Sequence, residues 1–499
     1  MQKKLLAVAV LSAFSGLAAA QSANVTLYGT MIGDFQSASS TRADSSLTGG
    51  VNSSTRTGAS LTTNPFNATT RTRMNPAGSN FGVRGTEDLG NGMSAWFQAE
   101  AAMTLGAPSG VPDGINHGNA LSWRNSAVGL RSNSWGTVFV GMWDTPFNSM
   151  VNANNINSSM SNATTQTTAN LLGATLLGNG AWSGQNEFAA CIVSTGVAGS
   201  TCANAGTNFD RRQKMISQWW SPNWNGFEVR AAYSAVGFAD SATTSAVGGT
   251  AFAAPNLRPT IWDLSLAYTN GPLNVSYAYE RQKDLLAYAL YTAQNGNGGG
   301  NSAGVGLGGG GNGTGAWTTG TSTAAAATAA LGTINAGGST ATGHRLGARY
   351  TFNLGGGKLG LGALLESLKY NVTYTTIGGP AAAASLLDSL SKRSWRLQGN
   401  YGWGSHLVGL DYTRAGQLNG SITNVNGAAA NSWNAGGTGA RAWTLQYGYS
   451  LSKRTSLVGF YMNVKNENNS NSGGSTFGAL PSGAGATVTY WGGNIRHAF

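Results

Sequence analysis

The histidines are the residues with the widest chemical range, and this chain has only four of them: His117, His344, His406 and His497. None has a serine and a carboxylate at a spacing that would assemble a nucleophilic site. No HExxH pattern occurs, and the glycine-rich tract 298–315 lacks the Lys-Ser/Thr that ends a phosphate-binding loop. The sequence therefore predicts no enzyme, no metal site and no cofactor.

Arginines on the polar side of alternating segments offer a different chemistry. Arg345 and Arg349 stand opposite Leu346 and Tyr350, and a later segment places Arg396 opposite Leu397. Fixed guanidinium charges along a confined passage favour anions. We therefore expect these three arginines to extend a basic track along one wall.

Strands must position these side chains, because the apolar residues repeat with a period of two. The last segment, 486–499, alternates in this way and ends on Phe499, and the first, 24–37, is a free partner for it. Between them the sequence predicts seven hairpins joined by short Gly/Asn/Ser turns, such as Gly90-Asn91-Gly92. Seven hairpins and two terminal strands give sixteen strands, and pairing of the terminal strands would close the sheet.

The first twenty residues combine a basic start, an apolar run and the small residues Ala18-Ala19-Ala20, which resemble a signal-peptidase cleavage site. This pattern predicts a signal peptide over 1–20 and a mature domain over 21–499. The formal net charge is +11, or +9 without Lys3 and Lys4. The chain contains no basic run with interleaved aromatic residues, so the sequence does not predict nucleic-acid binding.

Cys191 and Cys202 are the two cysteines of the chain. In an oxidising compartment, such a pair favours a disulfide over a metal site or two free thiols.

Connection lengths alternate between short turns within hairpins and long Gly/Ser/Asn-rich loops between them. This pattern is typical of a transmembrane β-barrel with short periplasmic turns and long extracellular loops, whereas a soluble solenoid needs a near-constant repeat. Sixteen strands enclose a lumen too wide for side chains to fill, so water should occupy it. The insertion 148–210 could fold inward as a third loop and narrow the lumen; the alternative is an extracellular loop without contact to it.

Five segments in order resemble the Gram-negative general porins of the beta-proteobacterial type: Val25–Gly29, Ser79–Gly92, Trp123–Leu130, Trp219–Phe227 and Arg496–Phe499. The resemblance covers nearly the whole mature chain. It implies a sixteen-stranded antiparallel barrel in the outer membrane, a homotrimer held by the first strands, and passive diffusion of hydrophilic solutes. The terminal Phe499 belongs to the family's end motif, and outer-membrane lipid and lipopolysaccharide are the expected surroundings.

The family carries basic residues on the barrel wall opposite acidic residues on the inward third loop. Here Arg84, Arg124 and Arg212 match the wall positions, and by alternation Lys214 should also face the lumen. An alternative for Arg84 and Arg124 is a solvated charge paired with Glu87 or Glu100. This sequence departs from the family pattern at Asn80 and Met142, where the family has arginine, and only Glu187 echoes the loop acid. Cys191 and Cys202 are expected to staple the tip of this loop.

The sequence thus predicts a trimeric outer-membrane channel for small hydrophilic solutes with a mild preference for anions. Two other functions stay open. The barrel could act mainly in binding or adhesion through its long loops, of which 287–342 is the largest, or it could be a channel for one specific substrate.

Overall fold

A computed structural model describes residues 24–41, 70–75, 78–103, 121–157, 171–172, 209–235, 258–285, 334–376, 384–417, 419–425, 439–467 and 487–499. The predicted signal peptide, the loop acid Glu187 and both cysteines lie outside these ranges. None of the helices in the described ranges is long and apolar enough to cross a membrane.

Nineteen strand segments follow one another along the described chain, with one helix, α1 (Pro146–Ala153), between the seventh and eighth. The strands are β1 (Asn24–Thr41), β2 (Arg71–Asn75), β3 (Asn80–Gly90), β4 (Met93–Met103), β5 (Leu121–Trp123), β6 (Ser126–Ser132), β7 (Gly136–Asp144), β8 (Arg212–Trp220), β9 (Phe227–Ala235), β10 (Thr260–Asn270), β11 (Leu273–Lys283), β12 (Ile334–Leu354), β13 (Gly357–Thr376), β14 (Ala384–Trp403), β15 (His406–Ala415), β16 (Asn419–Val425), β17 (Ala440–Ser450), β18 (Thr455–Asn466) and β19 (Thr487–Ala498).

The segments form one closed antiparallel sheet. Three barrel strands are each divided in two, because β2 and β3 both pair with β1, β5 and β6 both pair with β4, and β15 and β16 both pair with β14. The nineteen segments therefore make sixteen barrel strands. Strand β19 pairs with β1 from Thr30–Ala498 to Thr41–Thr487. The predicted sixteen-stranded barrel, closed by its terminal strands, is confirmed.

The turn between β3 and β4 shows how the hairpins are encoded. Asn91 and Gly92 have φ values of 53° and 72°, the left-handed conformation that a tight two-residue hairpin turn requires. Glycine and asparagine adopt this conformation at low cost. The Gly-Asn-Gly sequence therefore fixes both the turn and the register that follows from it.

The two faces of the sheet differ as the alternation predicts. On β10, Trp262 is 58% exposed on the outer face and its neighbour Asp263 is 4% exposed on the inner face. Leu264 and Leu266 continue the outer face, and on the adjacent β11 the inward Glu280 is fully buried. The outer surface is therefore apolar and the inner wall polar, the reverse of a soluble barrel.

Three boundaries differ from the sequence prediction. The Ser/Thr/Gly/Asn-rich composition after the first strand predicts a loop up to Pro76, but residues 71–75 form β2 because they pair with the extended end of β1. Strand β12 begins at Ile334 rather than Gly343, because its polar continuation pairs with β13. The alternating pattern predicts a strand from Thr137 to Phe147, but strand β7 ends at Asp144. The ring of Pro146 fixes φ and removes a backbone donor, so the chain starts a helix there.

Candidate functional site inside the barrel

Helix α1 begins at a capped N-terminus and lies against the inner face of β10, β11 and β12. The Thr145 hydroxyl accepts a hydrogen bond from the Asn148 backbone N–H at 3.2 Å, and Pro146 occupies the first helical position, where no donor is needed. Phe147, Met150 and Val151 are buried. A short helix of this kind gains its stability from packing, so the wall holds it in place.

Hydrogen bonds from the loop backbone and side chains fasten α1 to the wall. The Phe147 N–H donates to Asp263 Oδ2 at 2.8 Å, and Asn154 Nδ2 donates to Ser276 Oγ at 2.7 Å. Both wall groups are buried. Asp263 thereby satisfies one of the backbone N–H groups that a helix leaves without a partner in its first turn.

Arg345 is the centre of the contact between loop and wall. Its Nη2 donates to Glu366 Oε2 at 2.5 Å, its Nη1 donates to the Phe147 carbonyl at 3.0 Å, and Nη1 lies 2.5 Å from Asp210 Oδ1. The guanidinium also lies 4.1 Å from the centre of the Phe147 ring. Burial raises the pKa of the Asp210 carboxyl, and the charge of Arg345 opposes that rise. One side chain thus joins two loop residues to the neighbouring strand.

A second anchor lies beyond the end of α1. Arg396 Nη2 donates to Asp411 Oδ1 at 2.8 Å and to Asn155 Oδ1 at 3.3 Å. Asn157 Nδ2 donates to the other Asp411 oxygen at 2.9 Å, and Gln398 Nε2 donates to Asn155 Oδ1 at 2.9 Å. Loop residues 155–157 therefore lie across β14 and β15.

Two glycines of β12 make room for the loop. A Cβ at Gly343 would lie 2.8 Å from Phe209 Cδ1 and 2.9 Å from Phe147 Cζ, and a Cβ at Gly347 would lie 2.7 Å from Asn154 Cγ. Both glycines occupy inward positions on either side of Arg345. The loop can approach the wall this closely only because no side chain stands at these two positions.

A different group of polar side chains lies on β1, β3 and β4 and beside β6. The Tyr28 hydroxyl donates to Glu100 Oε2 at 3.0 Å, and Arg124 forms an ion pair with Glu100. The Arg84 guanidinium lies 5.0 Å from the Tyr28 ring centre. Gly82 allows this arrangement, since a Cβ there would lie 2.5 Å from Tyr28 Cζ. The structure brings Arg84 and Arg124 together, and Arg124 has the partner Glu100 that the alternative interpretation named.

Arg212 connects this wall to α1. Its Nε donates to Asn125 Oδ1 at 2.5 Å and lies 3.3 Å from Asp144 Oδ1. Asn148 of α1 donates to the same Asp144 carboxylate at 3.2 Å. Arg124, Arg212 and the start of the loop therefore form one continuous polar region on the inner face.

Lys214 does not follow the alternation that predicted a lumen-facing position. The pairing of β7 with β8 jumps from Gly141–Ile216 to Trp143–Gln213, which leaves one extra residue in β8. Met215 has a φ of 50°, and Lys214 and Met215 are exposed between the buried Gln213 and Ile216. A β-bulge therefore removes the basis of that prediction.

The remaining residues predicted for the channel wall and for the terminal strand do not lie together in one site. Arg345 and Arg396 face inward as predicted, but they are buried under the loop and paired with acids, so they do not form an exposed track. Arg349 is exposed near the short turns, and Asn80 is half-buried on β3, where its amide donates to the Gly78 carbonyl. The Phe499 N–H donates to the Gly29 carbonyl at 3.1 Å, which joins the last residue to β1.

Asp263, Glu366 and Asp411 are residues that sequence reasoning missed as loop anchors. Each is a single acid at an inward position of its strand. The available signal was the placement of lone carboxylates on otherwise neutral polar faces. Asp263 and Asp411 bind loop residues more than a hundred positions away, and Glu366 acts on the loop through Arg345. Among the described residues, no group of three His, Cys, Asp or Glu side chains could hold a metal ion.

The family model and the curated relative that match this chain are both porins. Residues 7–353 match the family model described as Gram-negative porin. An outer membrane porin protein of Bordetella pertussis is 28% identical over 291 residues, which cover 56% of this chain and 60% of that protein, so the match spans less than two thirds of its length. The solved structure of an anion-selective porin from Comamonas acidovorans has a TM-score of 0.52 at 20% identity, and the match covers 96% of this chain and 100% of that one. The structural likeness supports the sixteen-stranded barrel fold.

Proposed function

The chain belongs to the Gram-negative porin family, and from this premise we propose that it forms a water-filled channel through which small hydrophilic solutes diffuse across the outer membrane, with a mild preference for anions. Residues 1–20 would direct the chain across the inner membrane, and residues 21–499 would form the barrel. The observation that carries the proposal is the closed sheet with an apolar outer face and a polar inner wall. In a membrane only a closed sheet satisfies every strand hydrogen bond, and such a barrel of sixteen strands leaves an aqueous interior.

The third loop would set the width of the channel. Residues 145–157 contact the inner face of β10 to β15 through Asp263, Arg345 and Asp411. A segment held against the wall by hydrogen bonds to these buried charged groups narrows the passage on that side. The opposite side of the passage would then be the wall that carries Arg84 and Arg124, and Arg212 lies where this wall meets α1.

The preference for anions rests on the charges of that wall. Arg124 pairs with Glu100 and Arg212 with Asp144, whereas Arg84 is exposed and forms no ion pair with any described residue. An unpaired guanidinium in a narrow aqueous passage attracts anions and repels cations. Glu187 would supply an acid on the loop side and keep the preference mild.

We expect the barrel to assemble as a homotrimer surrounded by lipid and lipopolysaccharide. The outer face of the first strands is apolar, with Val25 and Leu27 on β1 and Val128 and Leu130 on β6 largely exposed in the single chain. Such a surface can contact lipid or a second copy of the barrel. Identical subunits assemble mostly with closed symmetry, of which a three-fold ring is one form.

Reconstitution in planar bilayers tests the channel. Purified protein added to a bilayer should give stepwise conductance in multiples of three, and a salt gradient should give a reversal potential that favours chloride over potassium. Binding or adhesion through the loops as the main function would instead leave the bilayer without conductance. A channel for one substrate would conduct small ions poorly and admit its substrate much faster than solutes of equal size.

A further inference from the structure

Four aromatic side chains pack together on the inside of the barrel, on β4, β7 and β8. Trp96 and Phe139 lie 5.4 Å apart between ring centres, Phe139 and Trp143 5.1 Å, and Phe139 and Trp220 5.1 Å, all in edge-to-face geometry. We refer to Trp96, Phe139, Trp143 and Trp220 as the aromatic cluster. It lies towards the short turns, since Trp96 follows the turn before β4 and Trp220 ends β8.

The strand register shows that the aromatic cluster faces the interior. Val138 and Val140, the neighbours of Phe139, are 44% and 52% exposed on the outer face, whereas Phe139 is 1% exposed. Trp96 and Phe139 flank Gly129 in one row across three strands. A Cβ at Gly129 would lie 2.5 Å from Phe139 Cβ, so the glycine allows the rings to meet.

Part of the aromatic cluster is accessible from the lumen. Phe139 and Trp96 are buried, but Trp143 and Trp220 are only half-buried. Exposure of two indole rings to lumen water is unfavourable, because apolar surface in water has a free-energy cost. A wall that served only hydrated ions would gain nothing from these rings, whereas a planar apolar solute would find a surface to stack on.

Arginines flank the aromatic cluster. The Arg230 guanidinium lies 4.3 Å from the Trp220 ring centre and forms an ion pair with Glu228, and the Arg131 guanidinium lies 5.3 Å from the Trp96 ring centre. Arg131 is exposed and forms no ion pair with a described residue. On the loop side, Trp143 precedes Asp144, the partner of Arg212. Guanidinium groups bind carboxylates through paired hydrogen bonds.

We propose that the aromatic cluster and its flanking arginines, Arg131 and Arg230, form a binding site for small aromatic carboxylates inside the channel. The ring of such a solute stacks on Trp143 and Trp220, and its carboxylate is bound by a guanidinium. The inference rests on the proposed channel function and adds a solute class to it. Weak binding within the passage raises the local concentration of these anions, so they cross faster than non-aromatic anions of equal size and charge.

Ion-current recordings with two matched solutes test the site. Benzoate and cyclohexanecarboxylate have one carboxylate each and similar size, but only benzoate has an aromatic ring. Added to channels that carry chloride, benzoate should reduce the current at a concentration about two- to twelvefold lower than cyclohexanecarboxylate, because a stacked ring pair contributes about 0.5–1.5 kcal/mol. Equal effects of the two solutes on conducting channels would overturn the inference and leave the channel function intact.

Tryptophan variants assign the effect to the cluster. Trp220→Leu, alone and with Trp143→Leu, should remove the advantage of benzoate over cyclohexanecarboxylate while chloride conductance persists. Trp262→Leu is the matched control, since Trp262 lies on the outer face of β10 and should leave the benzoate effect unchanged. An advantage that survives in conducting Trp220→Leu channels would overturn the assignment to these rings. Wild-type protein that gives no conductance would overturn the channel function and the inference with it.

Discussion

The guanidinium of Arg345 lies 4.1 Å from the ring centre of Phe147 and donates a 3.0 Å hydrogen bond to the carbonyl of the same residue. Strand β12 carries the arginine, and the phenylalanine is in the first turn of α1, so this pair joins the barrel wall to the loop inside it. Acids on both sides, Glu366 and Asp210, compensate the buried charge.

Arg345→Gln should release the loop from the wall. The variant removes the guanidinium that binds the buried acids Glu366 and Asp210, and removing one partner of a buried ion pair costs about 3–5 kcal/mol. We expect larger and noisier single-channel currents and an earlier loss of the folded form on heating in detergent. Arg349→Gln is the control, because Arg349 is an exposed arginine on the same strand. Wild-type currents in Arg345→Gln would exclude the anchoring role.

Gly343→Ala should displace the loop without changing any charge. The added methyl group would meet the buried rings of Phe147 and Phe209, and overpacking of this kind typically costs about 1–3 kcal/mol. We expect altered conductance with unchanged ion selectivity. Gly399→Ala serves as the control, since the nearest atom to its Cβ is Leu361 Cδ2 at 3.8 Å. If both variants behave like the wild type, the loop is not seated on β12 in the way the contacts indicate.

The double substitution Arg84→Ala with Arg124→Ala should shift the reversal potential towards cations. It removes two positive charges from the inner wall and leaves Glu100 without its partner. A unit charge about 4 Å from an ion contributes about 1 kcal/mol in water and acts with opposite sign on chloride and potassium, so we expect the chloride-over-potassium permeability ratio to fall by at least about fivefold. Arg281→Ala removes an arginine exposed at the far end of β11 and should change the ratio little. An unaltered ratio in the double variant would show that these arginines do not determine selectivity.

Gly29→Ala should weaken barrel closure. Gly29 exchanges two backbone hydrogen bonds with Phe499, and a Cβ on Gly29 would lie 2.5 Å from the Phe499 ring and 2.6 Å from the Asn80 carbonyl. We expect a loss of about 1–3 kcal/mol, read as a lower temperature for the gel-mobility change that accompanies unfolding of the barrel. Gly33→Ala on the same strand is the control, because its nearest contact is an ordinary 3.5 Å to Ile495 Cγ2. Equal transition temperatures for the two variants would contradict this role of Gly29.

The amino-acid sequence by itself determined the barrel. Period-two alternation places Trp262 outside and Asp263 inside, and turns such as Asn91-Gly92 fix each hairpin. These signals are local, because neighbouring residues on a strand point to opposite faces whatever the rest of the chain does. The same alternation predicted inward positions for Arg345 and Arg396.

Only the tertiary structure decided what those inward residues do. Arg345 and Arg396 are loop anchors rather than exposed charges, because Asp210 and Asn155 reach them from distant parts of the chain. The β-bulge at Lys214 and the meeting of Trp96 with Phe139 over Gly129 likewise depend on pairing between strands. Alternation gives the face of a strand on which a side chain lies; the partner it finds there depends on register, closure and the path of the loop, which no short segment encodes.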